Sequence, residues 1–174
     1  MAHNTTPLSG VERVIQDGEF IISKTDTKGI ITYANEVFIK LSGYTEAELI
    51  GVPHNILRHP DMPRCVFKYL WDQIALGNEV LAYVINKSKN GDHYWVYAHV
   101  TPSFSMDNKI IGYLSSRRPP SRVALEAIKP IYKALLAEEA KHSSPKDGMQ
   151  AGMDLLLSVL RDKNVSYSEF VLTI

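Results

Sequence analysis

Two turn sequences constrain the fold of this chain more than any other feature. Asp26-Thr27-Lys28-Gly29 and Lys89-Asn90-Gly91-Asp92 each offer a glycine where a tight hairpin demands positive φ, and each lies between β-type runs. Phe20 to Lys24 and Ile30 to Tyr33 flank the first turn, and Val80 to Asn86 and Tyr94 to Phe104 the second. Asp107-Asn108 turns the chain again, into Lys109 to Arg117. Strands joined by turns this short are antiparallel.

Between the two hairpins the pattern is helical but broken. Asn35 suits the N-cap of a short helix carrying Val37, Phe38 and Leu41, and Thr45 with Glu48 forms a capping box for another. Pro60 and Pro63 disfavour a regular helix through the second half of His54 to Pro63. Pro63 then suits the first turn of a longer helix with Val66, Phe67, Leu70, Trp71 and Ile74 on one broad face. The order predicts an α+β domain, a five-stranded antiparallel sheet with helices on one face enclosing a cavity. On the long strand, Tyr94, Val96, Ala98 and Val100 alternate with Trp95, Tyr97 and His99. One face is expected to line the cavity, and the other to pack on an N-terminal helix or another chain.

Three segments follow from this pattern. Residues 1–19 form a mobile polar arm (Asn4, Thr5, Thr6, Ser9) and a short amphipathic helix with Val11, Val14 and Ile15. Residues 20–118 form the sheet domain, closed by Pro119-Pro120. Residues 119–174 form a helical extension. Its first stripe is Leu125, Ile128, Ile131, Tyr132 and Leu135, with a kink expected at Pro130. Its second is Met149, Met153, Leu156, Leu157 and Leu160, expected to fold back on the domain or to meet a partner. Ser166 with Glu169 caps a short last helix.

Composition narrows the function. Lys plus Arg and Asp plus Glu are both 19, so the zero net charge argues against generic nucleic-acid binding. The single cysteine, Cys65, excludes an internal disulfide and fits a reducing compartment. No apolar run approaches the roughly 18 residues of a membrane span. The expectation is a cytoplasmic protein without direct membrane insertion.

Several separated motifs carry a resemblance. Asp26 to Asn35, Ser42-Gly43-Tyr44-Thr45 with Glu48-Leu49-Ile50-Gly51, and Lys89 to Asp92 with Tyr94-Trp95-Val96 look like the opening, middle and sheet of a PAS domain. Pro53-His54-Asn55, Arg58-His59-Pro60-Asp61-Met62-Pro63, Phe67, Trp71 and Asn90 to Val96 resemble, more narrowly, the PAS domain of bacterial aerotaxis receptors. The resemblance covers about residues 20–118. It implies FAD held without a covalent bond, a redox state that follows electron transport, and a signal delivered to a chemotaxis receptor. No membrane anchor or methyl-accepting region is present in the sequence. The expectation is therefore a stand-alone PAS flavoprotein whose receptor is a separate chain, with a homodimer as a further option. Val80 departs from the pattern, since the receptor family has a tryptophan in that strand, near the flavin.

The resemblance assigns cofactor-binding residues. Arg58 is expected on the pyrophosphate, which a guanidinium pairs bidentately. His54, His59 and Asp61 are expected to shape the loop or hydrogen-bond the cofactor, and His59 and Asp61 also to steady Arg58. Their spacing matches no standard zinc pattern. Phe67 and Trp71, four apart on one helix, are either a core pair or a platform on which Trp71 meets a cofactor ring. Asn35 caps its helix and also stands as a cofactor contact. Asn86 offers an amide donor and acceptor to the flavin's pyrimidine edge. Cys65 reads as a small apolar filler, because its surroundings lack the rest of a light-sensing motif. Two other readings keep the fold. One is a haem sensor, which needs an axial ligand, and Pro63 to Gly77 contains no His. The other is a cofactor-free interaction module. No nucleophile–base pair, phosphate loop or kinase motif suggests an enzyme.

Overall fold

The computed structural model describes residues 5–174; residues 1–4, including Asn4 of the expected arm, lie outside the described residues. The sheet domain comprises β1 (Ile21–Thr25), β2 (Ile31–Ala34), α1 (Glu36–Ser42), α2 (Glu46–Leu49), a 3-10 turn (His54–Leu57), α3 (Arg64–Ala75), β3 (Val80–Lys87), β4 (His93–Phe104) and β5 (Ile110–Arg118). The strands form one antiparallel sheet in the order β2-β1-β5-β4-β3, so the first hairpin joins the second through the last strand. The fold is the expected α+β PAS arrangement.

The irregular segment before α3 is tied to both edges of the sheet. Beside β2, Ile30 bridges to Pro53, and the Ile31 N–H donates to the Val52 carbonyl at 2.9 Å. Beside β3, Arg58 bridges to Asn86. Pro60 and Pro63 keep this stretch out of helix, and α3 begins directly after Pro63.

Three helices follow the sheet: α4 (Arg122–Glu139), α5 (Pro145–Asp162) and α6 (Tyr167–Thr173). Helices α4 and α6 cover the sheet's outer face, which was expected to meet an N-terminal helix or another chain, while α5 packs on α3 and α4. Tyr132 of α4 stacks on Trp95, with ring centroids 6.2 Å apart, and donates its O–H to the Tyr83 carbonyl at 2.6 Å. The Tyr83 O–H reaches the carbonyls of Val171 and Ile174 at 3.5 Å. The apolar stripes thus fold back on the domain, burying Leu125, Ile128, Leu135, Leu156 and Leu160. Ser166 and Glu169 close the expected capping box. Pro130 lies inside α4, which continues on both sides of it as one helix. Among the described residues no helix is long and apolar enough to cross a membrane.

The segment Val11 to Ile15 is extended, not the expected amphipathic helix. The reason lies in β4. Its pairing with β5 ends at Tyr97, which leaves the backbone of His93 open on that side. Glu12 pairs there in parallel, the His93 N–H donating to the Val11 carbonyl at 2.9 Å and the Arg13 N–H to the His93 carbonyl at 2.7 Å. Val11 and Val14 remain exposed, so a helix would have gained little burial. The arm before them is also anchored. The Ser9 N–H donates to the Gly91 carbonyl at 3.0 Å, and the Ser9 hydroxyl to Asp92 at 2.6 Å.

Gly91 is required by this crossing. Its φ is +94°, and a Cβ there would sit 2.0 Å from the Pro7 carbonyl oxygen. Gly91→Ala is expected to destabilise the protein by about 1–3 kcal/mol in a denaturant titration. It should also speed amide exchange at Ser9 and Arg13 and leave β1 and β5 unaffected.

Candidate functional site

The concave face of the sheet and helix α3 enclose a cavity of about 260 Å³. The strands contribute by strict alternation: Ser23 and Thr25 from β1, Val84 and Asn86 from β3, Ala98 and Val100 from β4, and Tyr113, Ser115 and Arg117 from β5. Helix α3 contributes Phe67, Leu70, Trp71 and Ile74, spaced three or four apart. The exposed members of the lining, among them Lys28, Asn55 and Arg58, mark the mouth.

Five of the eight residues expected at a cofactor meet at this cavity: His54, Arg58, Phe67, Trp71 and Asn86. Arg58 lies over the Phe67 ring, 4.5 Å from its centroid, rather than being held by Asp61. Trp71 meets the Tyr113 ring edge-on at 5.6 Å. Asn86 is 4% exposed, and its backbone is bridged to Arg58.

The other three are placed elsewhere. The Asn35 amide is used up by structure. Its Oδ1 accepts from the N–H groups of Phe38 and Ile22, each at 3.0 Å, and its Nδ2 donates to the Phe20 carbonyl at 2.7 Å. It caps α1 and ties that helix to β1. His59 is buried outside the cavity, where its Nδ1 accepts from the Asp61 N–H at 3.1 Å and its ring tilts against His93 at 5.7 Å. The Asp61 side chain points to solvent. A short polar loop of this kind organises itself before it can organise a ligand. Val80 is buried but does not reach the cavity. Cys65 lies under α5, outside the lining, and burial pushes its thiol pKa well up, as expected of an inert filler.

Arg117 is the residue that sequence reasoning missed. It is 2% exposed, yet it faces the cavity without a carboxylate beside it. One guanidinium nitrogen donates to the Ser23 hydroxyl, and the group lies over the Phe38 ring at 4.8 Å. Among the described residues, its Nε and Nη1 are buried without a hydrogen-bond partner, as is Thr25 Oγ1 in the same lining. Burial pulls its pKa down to about 10. Such donors are costly to leave unmet. The signal for it was available: Arg117 stands at an inward register position, two after Ser115 and four after Tyr113.

His54 completes this cluster. Its Nε2 lies 3.3 Å from the Ser23 hydroxyl, which already accepts from Arg117. The serine hydrogen is thereby free for His54, whose ring is a neutral acceptor. Burial first, and the Arg117 charge second, drive the His54 pKa down to about 3. The cavity lining contains no aspartate or glutamate, while Lys28, Arg58 and Arg117 contribute positive charge. The lining thus pairs an apolar surface with positive charge and unmet donors, a chemistry complementary to electron-rich or anionic groups.

Two measurements on the ligand-free protein check these assignments. A histidine held neutral in the fold but free to protonate when unfolded makes stability fall as pH drops below its unfolded pKa of about 6.5. His54 alone should cost about 1 kcal/mol between pH of about 6.5 and 5.5. His54→Gln should flatten that slope in chemical unfolding at several pH values. Arg117→Met removes an uncompensated buried charge and should raise unfolding free energy by about 1–3 kcal/mol.

Comparison with known proteins agrees with the fold. The model of the PAS fold matches residues 11–119. The chain is 43% identical over 123 residues to the aerotaxis receptor of Escherichia coli (strain K12), covering 71% of this chain and 24% of the receptor. It is 27% identical over 105 residues to a nitrogen fixation regulatory protein of Klebsiella pneumoniae, covering 60% of this chain and 21% of that protein. The chain thus spans about a quarter or less of the length of these relatives. A light-oxygen-voltage domain studied through a flavin analogue superposes with a TM-score of 0.56 at 21% identity, covering 63% of this chain and 82% of that one. The PAS domain of the fruit-fly ELK potassium channel gives 0.53 at 19% identity, covering 59% and 89%. The chain belongs to the PAS family.

Proposed function

We propose that the cavity holds a flavin nucleotide, FAD, without a covalent bond, and that the domain reports its redox state to a separate chemotaxis-type receptor in the cytoplasm. The observation that carries this reading is Arg117, a buried guanidinium with two unmet donors on the wall of an apolar cavity lined by no carboxylate. Carbonyl oxygens and ring nitrogens on the edge of a flat heterocycle match such donors, with the Asn86 amide as a second recognition group. The cavity is smaller than the roughly 300–1,000 Å³ of a typical drug-sized site. It suits the ring system alone, and leaves phosphates for Arg58 and Lys28 at the mouth. Similarity to an aerotaxis receptor supports the signalling role.

A bound flavin supplies reversible electron transfer. The chain's own part is recognition. Arg117 and Asn86 sense charge and donor pattern at the ring edge, Phe67 and Trp71 exclude water, and Arg58 holds negative charge at the mouth. Because Arg58 and Asn86 are bridged through their backbones, a turn of the Asn86 amide is felt in the loop and at the edge of the sheet. Only a difference in interaction energy between two redox states can shift such an equilibrium.

An absorption spectrum of the protein reconstituted with FAD, with and without dithionite, should show flavin bands near about 450 nm that bleach on reduction. Arg58→Ala and Arg117→Met should each weaken FAD binding about tenfold or more, the worth of a charge-assisted hydrogen bond. A protein that stays colourless would sink the flavin, and a Soret band near about 400 nm would replace it with haem. Equal receptor affinity in both redox states would sink the redox signal.

A further inference from the structure

Helix α4 touches both walls of the cavity with the same face. Tyr132 and Glu139 are seven residues apart, two helical turns, so they share one side and lie about 10 Å apart along the axis. Tyr132 donates its O–H to the backbone carbonyl of Tyr83, at 2.6 Å, in the strand whose inward neighbours Val84 and Asn86 line the cavity. Glu139 sits at the start of α3. Its Oε2 accepts from the Arg64 N–H at 3.1 Å and its Oε1 from the Cys65 N–H at 2.9 Å.

Helix α3 has no cap of its own. The residue before it is Pro63, whose side chain caps nothing, so two of the orphan donors of its first turn depend on a carboxylate from another element. Helix α5 closes over that carboxylate. A Cβ at Gly152 would lie 2.9 Å from Glu139 Cγ, 3.1 Å from its Oε1 and 3.2 Å from the Cys65 sulfur, and one at Gly148 would lie 2.4 Å from the Glu139 carbonyl oxygen. Glycines four apart let α5 lie flat on the contact between α3 and α4. The opposite side of α3 presents Phe67 and Trp71 to the cavity.

We infer that α4 is a strut between the two cavity walls, with Glu139 as the positioning residue for α3, and that ligand binding in the cavity and docking of α4 and α5 are reciprocally coupled. A guest that changes the spacing of α3 and β3 must strain or relieve the bonds at Glu139 and Tyr132. By linkage, loosening those bonds must in turn change affinity for the guest. The inference rests on the cavity being the ligand site proposed above.

The test uses the full chain with FAD as the probe, at about 0.5 M salt so that the Glu139 charge itself is screened from the phosphates. FAD should slow amide exchange in residues 148–156 of α5 by about fivefold or more. Glu139→Ala should abolish that slowing and weaken FAD binding by about 5- to 100-fold. Glu139→Gln, which keeps an acceptor oxygen, should restore part of both. Tyr132→Phe, which keeps the ring and loses the bond to Tyr83, should reduce the slowing. A folded Glu139→Ala protein with unchanged FAD affinity, or wild-type α5 exchange indifferent to bound FAD, overturns the strut. If FAD does not bind, the cofactor reading fails on its own, and the strut is then judged from the cavity side. Phe67→Leu should speed α5 exchange in the wild-type background and add nothing in Glu139→Ala, and additive effects would overturn it.

Discussion

A sheet that is apolar on both faces has to be covered twice, and that requirement organises the whole molecule. In β3 and β4 the inward set, including Val84, Val96 and Ala98, needs one layer, and the outward set of Tyr83, Ile85, Trp95 and Tyr97 needs another. The inner layer is α1 to α3 with the looped segment between them. It cannot lie flat on a curled sheet, and the gap that remains is the cavity. The outer layer is supplied by the chain's own C-terminal helices. Without them a row of large aromatic side chains would face water, an exposed patch of the kind that seeks a partner.

The cavity carries a second constraint, which is electrostatic. A guanidinium is buried on its wall beside a neutral histidine and hydroxyl groups, and no lining residue offsets its charge. Such an arrangement lowers the stability of the empty protein and raises its selectivity for what fills it. The two effects share one cause. The neutrality of His54 follows first from its burial and second from the same charge, which repels a second cation beside Arg117.

The elements of the fold were legible because they are written locally. Glycine turns, Asn35 and Thr45 as caps, and the three-four spacing of α3 each need only a few neighbouring residues. The arm was misread for the converse reason. Val11 to Ile15 has helical spacing, but the open backbone at His93 that captures it lies about eighty residues away. At the site, residues on α3 and β3 were found because their element fixes their direction. His59 and Asp61 were not at the cavity because a loop between two prolines has no periodicity from which to read a direction. Arg117 was overlooked although its strand does have one. Counting inward from Tyr113 exposes it, but only once the sheet's concave side is known. Asn35 reads from sequence as a cap that also stands as a cofactor contact, and only the distant Ile22 and Phe20 partners show how much of its amide the fold itself takes up.

The segment from Gly51 to Arg58 has a consequence beyond the mouth it forms. A five-stranded open sheet leaves two raw edges, here β2 and β3, each able to recruit a foreign strand. The same few residues occupy both, through Ile30 and Ile31 at one side and Asn86 at the other. They act as a lacing that draws an open sheet toward a closed barrel with a missing stave. Any motion that widens the opening unlaces an edge. Access to the interior and resistance to aggregation are therefore opposed in this protein, and a variant selected for a wider opening would be drawn toward self-association.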